Sequence, residues 1–442
     1  MKRSGAILLL ALGAILGIVT PALADGAQAG ADIHVAQTLG GRDLTVIIRR
    51  VAEVPGPVHV DVVTHAGSPA GEITLTARAA GAQTSTTKVV LGEKPGFYSG
   101  VLAIDRPGPW ELAVDEATIP FVVPALVASP WENATFGGFI AAGVLLFLAL
   151  LFAVFGKPGL ALVPTAGMVA AIAVAATAAL LSPGIPPVAA PGTQLDPTFD
   201  NVNDPYQRTS IVDFSRPPVN LVPSMSGSDL VLSLTDGSGR PVDDLLVHDS
   251  AFVHLVVVSP AGNLRHLHPI RTAPGEYRVR LQSPEQGTHA IAAEIARRGG
   301  GVQLLRSQVD VTGGTAVRND GKAELATEIR EAGRPSTITA GFGVKDLQPW
   351  LGMLGHMIVV GPVTDKPANA PIWAHVHSMI PPAPGMPDKP DESVAAYGPN
   401  VPFTYSFPLP GKYLVWIQVE RDYSIITVPT VVEVPAKGVA EK

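Results

Sequence analysis

Two uncharged apolar runs standing almost back to back restrict the folds open to this chain more than any other feature. "TFGGFIAAGVLLFLALLFAVF" (Thr135–Phe155) and "LALVPTAGMVAAIAVAATAALLS" (Leu160–Ser182) are separated only by "GKPG". Each is close to the ~20 residues needed to cross a bilayer. A buried hairpin in a soluble core is the poorer reading at this length and purity. The pattern predicts two transmembrane helices over 135–182 joined by a short cytoplasmic loop. Lys157 is the single charge between them, and Glu132 and Asp196 lie beyond the far ends. The excess of positive charge at the loop places both large flanks on the outer side. The N-terminus asks for the same topology. "MKRSGAILLLALGAILGIVTPALADG" has a basic start, an apolar run and Ala22-Leu23-Ala24, which is the order of a signal peptide over 1–24.

The rest of the chain reads as β-structure. Its 442 residues suggest about three domains on a prior of ~150 residues each. It carries 45 Gly and 42 Pro with few aromatics, which suits short strands and turns better than long soluble helices. Runs of strand length recur: "LTVIIRRV", "VHVDVVTH", "HLVVVS", "HMIVVG", "YLVWIQVE" and "SIITVPTVVEV". They predict β-sandwiches over 25–125, 226–313 and 320–436, with a linker over 183–225. The fold expected is mainly β: three immunoglobulin-like or cupredoxin-like sandwiches plus a transmembrane helical hairpin. A net charge of -7 argues against a nucleic-acid partner. The absence of Cys excludes disulfides, thiolate metal sites and a cysteine nucleophile.

The sandwiches share a local pattern. "FYSGVLAIDRPGPWELAV" places Tyr98, Gly108 and Trp110 at the spacings of Tyr277, Gly287 and His289 in "EYRVRLQSPEQGTHAIAAEI". "FPLPGKYLVWIQVE" keeps the second half with Gly411 and Tyr413. Common ancestry explains the match. Together with "VPGPVHVDVV", the first segment resembles exported sandwiches of the FixH/YtkA type, which are similar in appearance to CopC-like copper-binding domains. The two later segments resemble secreted domains with an "HLVVV…HLHP" or "GHMIVV…HVH" pattern that are often proposed to bind heavy metals. The resemblance implies metal handling, copper above all, outside the cytoplasm.

Two sets of histidines carry that expectation. In "VHLVVVSPAGNLRHLHPI" the residues Ser259–Asn263 form the turn. A hairpin centred on Ala261 sets His254 opposite His268, with His266 one diagonal step away on the same face. Imidazole arms at that spacing can share one ion with bonds of ~2.0 Å. His356, His375 and His377 repeat the arrangement across a longer loop. Met379 continues the alternation of His375 and His377, and Met353 and Met357 flank His356. The sequence thus predicts two separate metal sites, one per sandwich. The first would be nitrogen-only. The second would also offer thioether, which selects Cu(I), whereas imidazole serves Cu(II), Zn and Ni alike. Copper is the expected ion and zinc the second choice. His289 is expected to pack, His248 to be a solvated loop residue, and His34, His59 and His65 to form no set.

No G-x-S-x-G, H-E-x-x-H, P-loop or dinucleotide fingerprint occurs in a supporting context, and the carboxylates are dispersed, so the chain reads as a non-enzyme. The function expected is copper capture or delivery at the outer face of the cytoplasmic membrane, beside a transporter or membrane metalloenzyme. The rival is a structural or assembly subunit of a membrane complex, whose histidines only pack. Gly138 and Ala142 give the first helix the small residues such a role needs, although pairing within the chain uses them as well.

Overall fold

The computed structural model describes residues 32–49, 51, 54–115, 117–123, 130–181, 217–282, 284–297, 300–314, 320–379 and 392–438. The signal-peptide segment, Asp196 and most of the predicted linker lie outside these residues. The structure is mainly β, 53% strand, with an apolar helical hairpin.

Each sandwich contains one sheet in which four strands keep the same order, built outward from a hairpin; in the second and third a fifth, two-residue strand, Leu245–Leu246 or Leu347–Gln348, also pairs with the long strand. In the first it runs Ser85–Leu91, Gly71–Arg78, Gly108–Val114, Ala117–Val123. In the second it runs Leu264–Leu267, Val253–Val258, Gly287–Arg297, Gly301–Val311. In the third it runs Ile372–Ser378, Gly355–Gly361, Gly411–Arg421, Ser424–Val434. The facing sheets also share a three-strand core, to which the first sandwich adds Ile33–Leu39 and the second adds Ile270–Ala273. The predicted linker ended too late. Asn220–Ser226 is a strand paired with Asp229–Thr235. It alternates exposed and half-buried residues, and Pro223 is tolerated there because the strand is an edge.

The shared Gly pattern has a conformational basis. Gly108, Gly287 and Gly411 have φ of 118°, 125° and 122°, a region that a Cβ penalises. Two residues on, Trp110, His289 and Tyr413 are all buried. Trp110 Nε1 donates to the carbonyl of Arg106 at 3.0 Å and the Tyr413 hydroxyl to that of Leu409 at 2.8 Å, each four residues back. His289 Nδ1 instead reaches the Gly287 carbonyl at 3.1 Å.

The helices span Pro130–Val154 and Pro158–Leu181. Their apolar windows have mean hydropathy 2.6 and 2.0, and only 17% and 11% of those windows is buried. A soluble core would bury such surface. Phe136, Ile140, Phe147, Leu162 and Val163 all lie exposed along the hairpin. Gly156 ends the first helix at φ 69°, and Pro158 opens the second, where its missing N–H costs nothing. At Gly138 a Cβ would stand 2.8 Å from that of Ala175. The small residues of the first helix therefore serve pairing within the hairpin.

The three sandwiches meet one another. Val256, Val258, Ala290 and Ala292 of the second pack against Ile358, Val360, Trp373 and Trp416 of the third in one apolar cluster. Trp416 Nε1 donates across this seam to the Gly262 carbonyl at 3.1 Å. Ile270 of the second joins the core of the first, and Ala36 of the first packs with Trp350 and Leu351 of the third.

Candidate metal centre

The strands that carry the leading histidines are buried on both faces. Every residue of Val253–Val258 and of Gly355–Gly361 is buried. Alternation sends Val253, Leu255 and Val257 into the core of the second sandwich. The other parity sends Val256 and Val258, with His254, toward the third. Likewise Met357 and Val359 enter the core of the third sandwich, and Ile358 and Val360, with His356, face the second.

The hairpin register is the one the turn predicts. Val256 pairs with His266 and Leu255 with Leu267, and the same register carried one step further sets His254 opposite His268. His356 pairs directly with His377, and Ile358 with His375. His254, His266 and His268 are therefore the repeat equivalents of His356, His375 and His377. The two sets, expected apart with one in each sandwich, face the same seam. The ring of His266 lies 4.8 Å from that of His356 and 4.6 Å from that of His375, and His254 lies 5.3 Å from His375. The six imidazoles form one buried cluster.

Two matching turns hold it. His248–Ala251 and Trp350–Met353 each close with a pair of backbone hydrogen bonds. Their central residues, Asp249 and Ser250 (φ 45° and 72°) and Leu351 and Gly352 (φ 52° and 76°), all have positive φ, as a tight turn of type I′ requires. Each turn aims a carbonyl at the histidine six residues on. His254 Nε2 donates to the His248 carbonyl at 2.8 Å, and His356 Nε2 to that of Trp350 at 3.0 Å. A carbonyl only accepts, so these bonds place the proton on Nε2 and leave Nδ1 of both rings as a bare lone pair. His268 is fixed the other way round: Nδ1 donates to the His34 carbonyl of the first sandwich at 2.7 Å, leaving the lone pair on Nε2.

A carboxylate lies near each of the remaining two histidines of the third sandwich. Asp249 Oδ2 lies 3.3 Å from His377 Nδ1, and Glu294 Oε2 lies 3.8 Å from His375 Nδ1. Asp249 draws the His377 proton to Nδ1 and leaves its Nε2 facing inward, whereas 3.8 Å is beyond hydrogen-bond reach and His375 Nδ1 is buried without a partner. There, His375 Nε2 stands 3.0 Å from His356 Nδ1 and 3.2 Å from His377 Nε2. Nitrogens bonded tetrahedrally to one ion at ~2.0 Å stand about 3.3 Å apart. His254, His266 and His375 make a second group whose ligand atoms lie within 4.8 Å of one another.

Burial pushes the imidazoles of His266, His268, His356 and His375 well below the usual histidine value, and neighbouring imidazoles push the same way. Burial lowers His254 too, against the pull of Glu294. Neutral imidazole is the form that binds metal.

The methionine expectations fare differently. Met357 follows His356 on the strand and so points to the opposite face, into the hydrophobic core. Met379 lies past the end of its strand and is 58% exposed. Met353 is buried in the tight turn opposite Trp350. The donor set that the structure brings together is imidazole only. His248, expected in solvent, is buried and sits 3.4 Å from both Asp249 and Glu294. His34 and His65, expected to form no set, are buried and bind the first sandwich to the third, through Glu392 at 3.3 Å and Glu420 at 3.0 Å. Burial raises the Glu420 carboxyl despite His65. His59 is exposed.

Sequence reasoning also missed Trp350, whose ring meets those of His266 and His356 edge-on at 5.4 and 5.2 Å. Asp249 and Glu294 were missed as well. The single signal for these residues lies in the repeat, since His248 and Trp350 stand at equal distance before His254 and His356.

A domain family of unknown function, DUF8832, matches residues 306–436. That span covers the third sandwich and the end of the second. No curated protein matches. Among solved structures, the chain is similar to the FN1–FN3 domains of chicken CNTN1, with 8% identity over 87% of this chain and 97% of that one, at a TM-score of 0.16. A tetra-tandem repeat from the extending region of a large adhesion protein gives 11% identity, 92% and 83% coverage and a TM-score of 0.15. Dimeric latent PorU from Porphyromonas gingivalis gives 10% identity, 94% and 33% coverage and a TM-score of 0.17. Scores this low carry no argument about function.

Proposed function

We propose that this chain is a membrane-anchored copper-binding protein that holds its ion on His356 Nδ1, His375 Nε2 and His377 Nε2. The observation that carries the reading is the approach of His356 Nδ1 and His377 Nε2 to 3.0 and 3.2 Å of His375 Nε2, with the outer nitrogens of His356 and His377 turned to a carbonyl and a carboxylate. Three imidazole nitrogens this close repel unless a cation or a proton lies between them. Copper heads the order of affinity for nitrogen sites, and zinc is the second choice because imidazole alone does not separate them. The helical hairpin would anchor the sandwiches at the outer face of the cytoplasmic membrane. The work would be copper capture or delivery to a transporter or metalloenzyme in that membrane. Burial makes this a firmly held ion rather than one on an open surface. His377, with 13% of its side chain exposed, is the ligand through which exchange would begin.

The full chain, purified in detergent and loaded with copper or zinc, should retain metal after desalting. His375→Ala/His377→Ala should lose it at this triad. The burial of His254, His266, His268 and His356 also favours a second reading, a structural or assembly subunit in which the histidines pack and hydrogen-bond. Equal and negligible metal in wild type and variant would select that reading.

A further inference from the structure

The repeat that builds the triad of the third sandwich also builds its counterpart, nitrogen by nitrogen. His254 matches His356, and in both Nε2 donates to the carbonyl six residues back, so both present Nδ1. His268 matches His377, and in both Nδ1 is engaged, by the His34 carbonyl or the Asp249 carboxylate, so both present Nε2. His266 matches His375. One triad is closed, with its nitrogens drawn together. The other is open. His254 Nδ1, His268 Nε2 and both nitrogens of His266 are buried without a hydrogen-bond partner. Leaving a buried polar atom unpaired costs roughly 1–3 kcal/mol, and these four, with His375 Nδ1 beside them, call for an occupant.

We infer that His254 Nδ1, His266 and His268 Nε2 bind a second metal ion of the same class, beside the first in the same seam. This rests on the reading of the first triad as a metal site and extends it to a two-ion centre. Ring separations of 4.6 Å for His254–His268 and 5.5 Å for His266–His268 put the three imidazoles within reach of a common point after small side-chain rotations. As the rings stand, His375 is the third member nearest His254 and His266, but its Nε2 is held in the closed triad, so His268 must turn inward to complete the second one. The surroundings differ in a way that separates the two ions. The closed triad has its nitrogens already drawn together and Asp249 on His377, whereas the open one must turn its rings inward and its His268 is held by a neutral carbonyl of the first sandwich; Glu294 acts on His254 as well as standing near His375. The first ion therefore enters the closed triad, and its charge weakens the binding of the second.

The test is a metal count on the full chain in detergent, titrated separately with copper and with zinc under anaerobic and aerobic conditions. The inference expects two ions per chain, the second bound at least tenfold more weakly. His254→Asn and His268→Asn should each keep one ion, which also certifies that the variant is folded. His377→Asn should remove the tighter ion. With both copper ions as Cu(II), paramagnetic resonance should show spin coupling that vanishes in His268→Asn. One ion per chain, lost in His377→Asn but kept in His268→Asn, would overturn the second site and leave the first. Two ions in the wild type and in both His254→Asn and His268→Asn would also overturn it. No ion in any form would overturn both.

Discussion

The hairpin sheet of the first sandwich and those of the later two have the same strand order but opposite outer faces. In the first, Glu72, Thr74, Thr86, Lys88 and Val90 are exposed, Lys88 pairs with Glu72 at 2.7 Å, and Thr76 bonds Thr86 at 3.1 Å. The registers set Thr74, Thr86 and Lys88 at the positions of His254, His266 and His268. In the later sandwiches that face is apolar and covered, with the six histidines at its end. One backbone plan therefore carries either a solvated surface or a dry seam with a donor cluster. The side chains of one face decide which, because burying that face demands a partner sheet.

Charge on the outer face breaks the comparison most sharply. Val256 and Thr76 are equivalent positions. Val256→Asp buries an unpaired carboxylate in the seam and should cost more than about 4 kcal/mol or part the two sandwiches. Thr76→Asp should stay within about 0.5 kcal/mol. Chemical denaturation of both variants measures the contrast, and similar losses would mean the seam is wet.

Acid comes next. His254, His266, His268, His356 and His375 all have their folded pKa lowered by burial. As pH falls, the unfolded chain takes up protons first, near 6.5, while the folded chain does not. Stability is therefore full above about pH 6.5 and declines below it, by up to about 1.4 kcal/mol per histidine per pH unit. The metal-free chain should show a falling thermal midpoint between pH 7 and 5.5. Replacing the second-sandwich triad by Asn should flatten part of that slope. A midpoint independent of pH would mean that water reaches the rings.

Much of this was legible in the residues, and the limit has a physical cause. Local chemistry set the turn at Ser259–Asn263, hence the register, hence the shared face of His254, His266 and His268. Apolar length marked the helices, and Gly108, Gly287 and Gly411 marked the repeat. The meeting of the two triads was not legible in this way, because it depends on packing between strands about a hundred residues apart. A trace of it exists: "HLVVVS" and "HMIVVG" are apolar at both parities, whereas "GEITLTAR" alternates. A strand apolar on both faces needs cover on both. Parity also rules Met357 out of the site, since it is adjacent to His356. Two of the orienting groups, the His34 carbonyl and Asp249, come from other sandwiches and have no local signature.

The corner shared by the repeats gives a smaller effect. Tyr413→Phe keeps the buried ring and removes the hydrogen bond to Leu409, so it should cost about 1 kcal/mol. A loss well above that in denaturant midpoint would assign the corner a role in the seam as well as in its own sandwich.

The smallest effect belongs to the wet face. Lys88 holds the place of His268, yet its pair with Glu72 is roughly half exposed on both sides. Water screens that charge, and ordering two long side chains offsets the attraction. Lys88→Ala should therefore change stability by about 0–1 kcal/mol, and the change should shrink further in high salt. His268→Ala at the equivalent position deletes a ring that is buried and bonded to another sandwich, and its effect should not respond to salt. If both substitutions proved small and salt-dependent, the contrast between the dry seam and the wet face would collapse, and the histidine cluster with it.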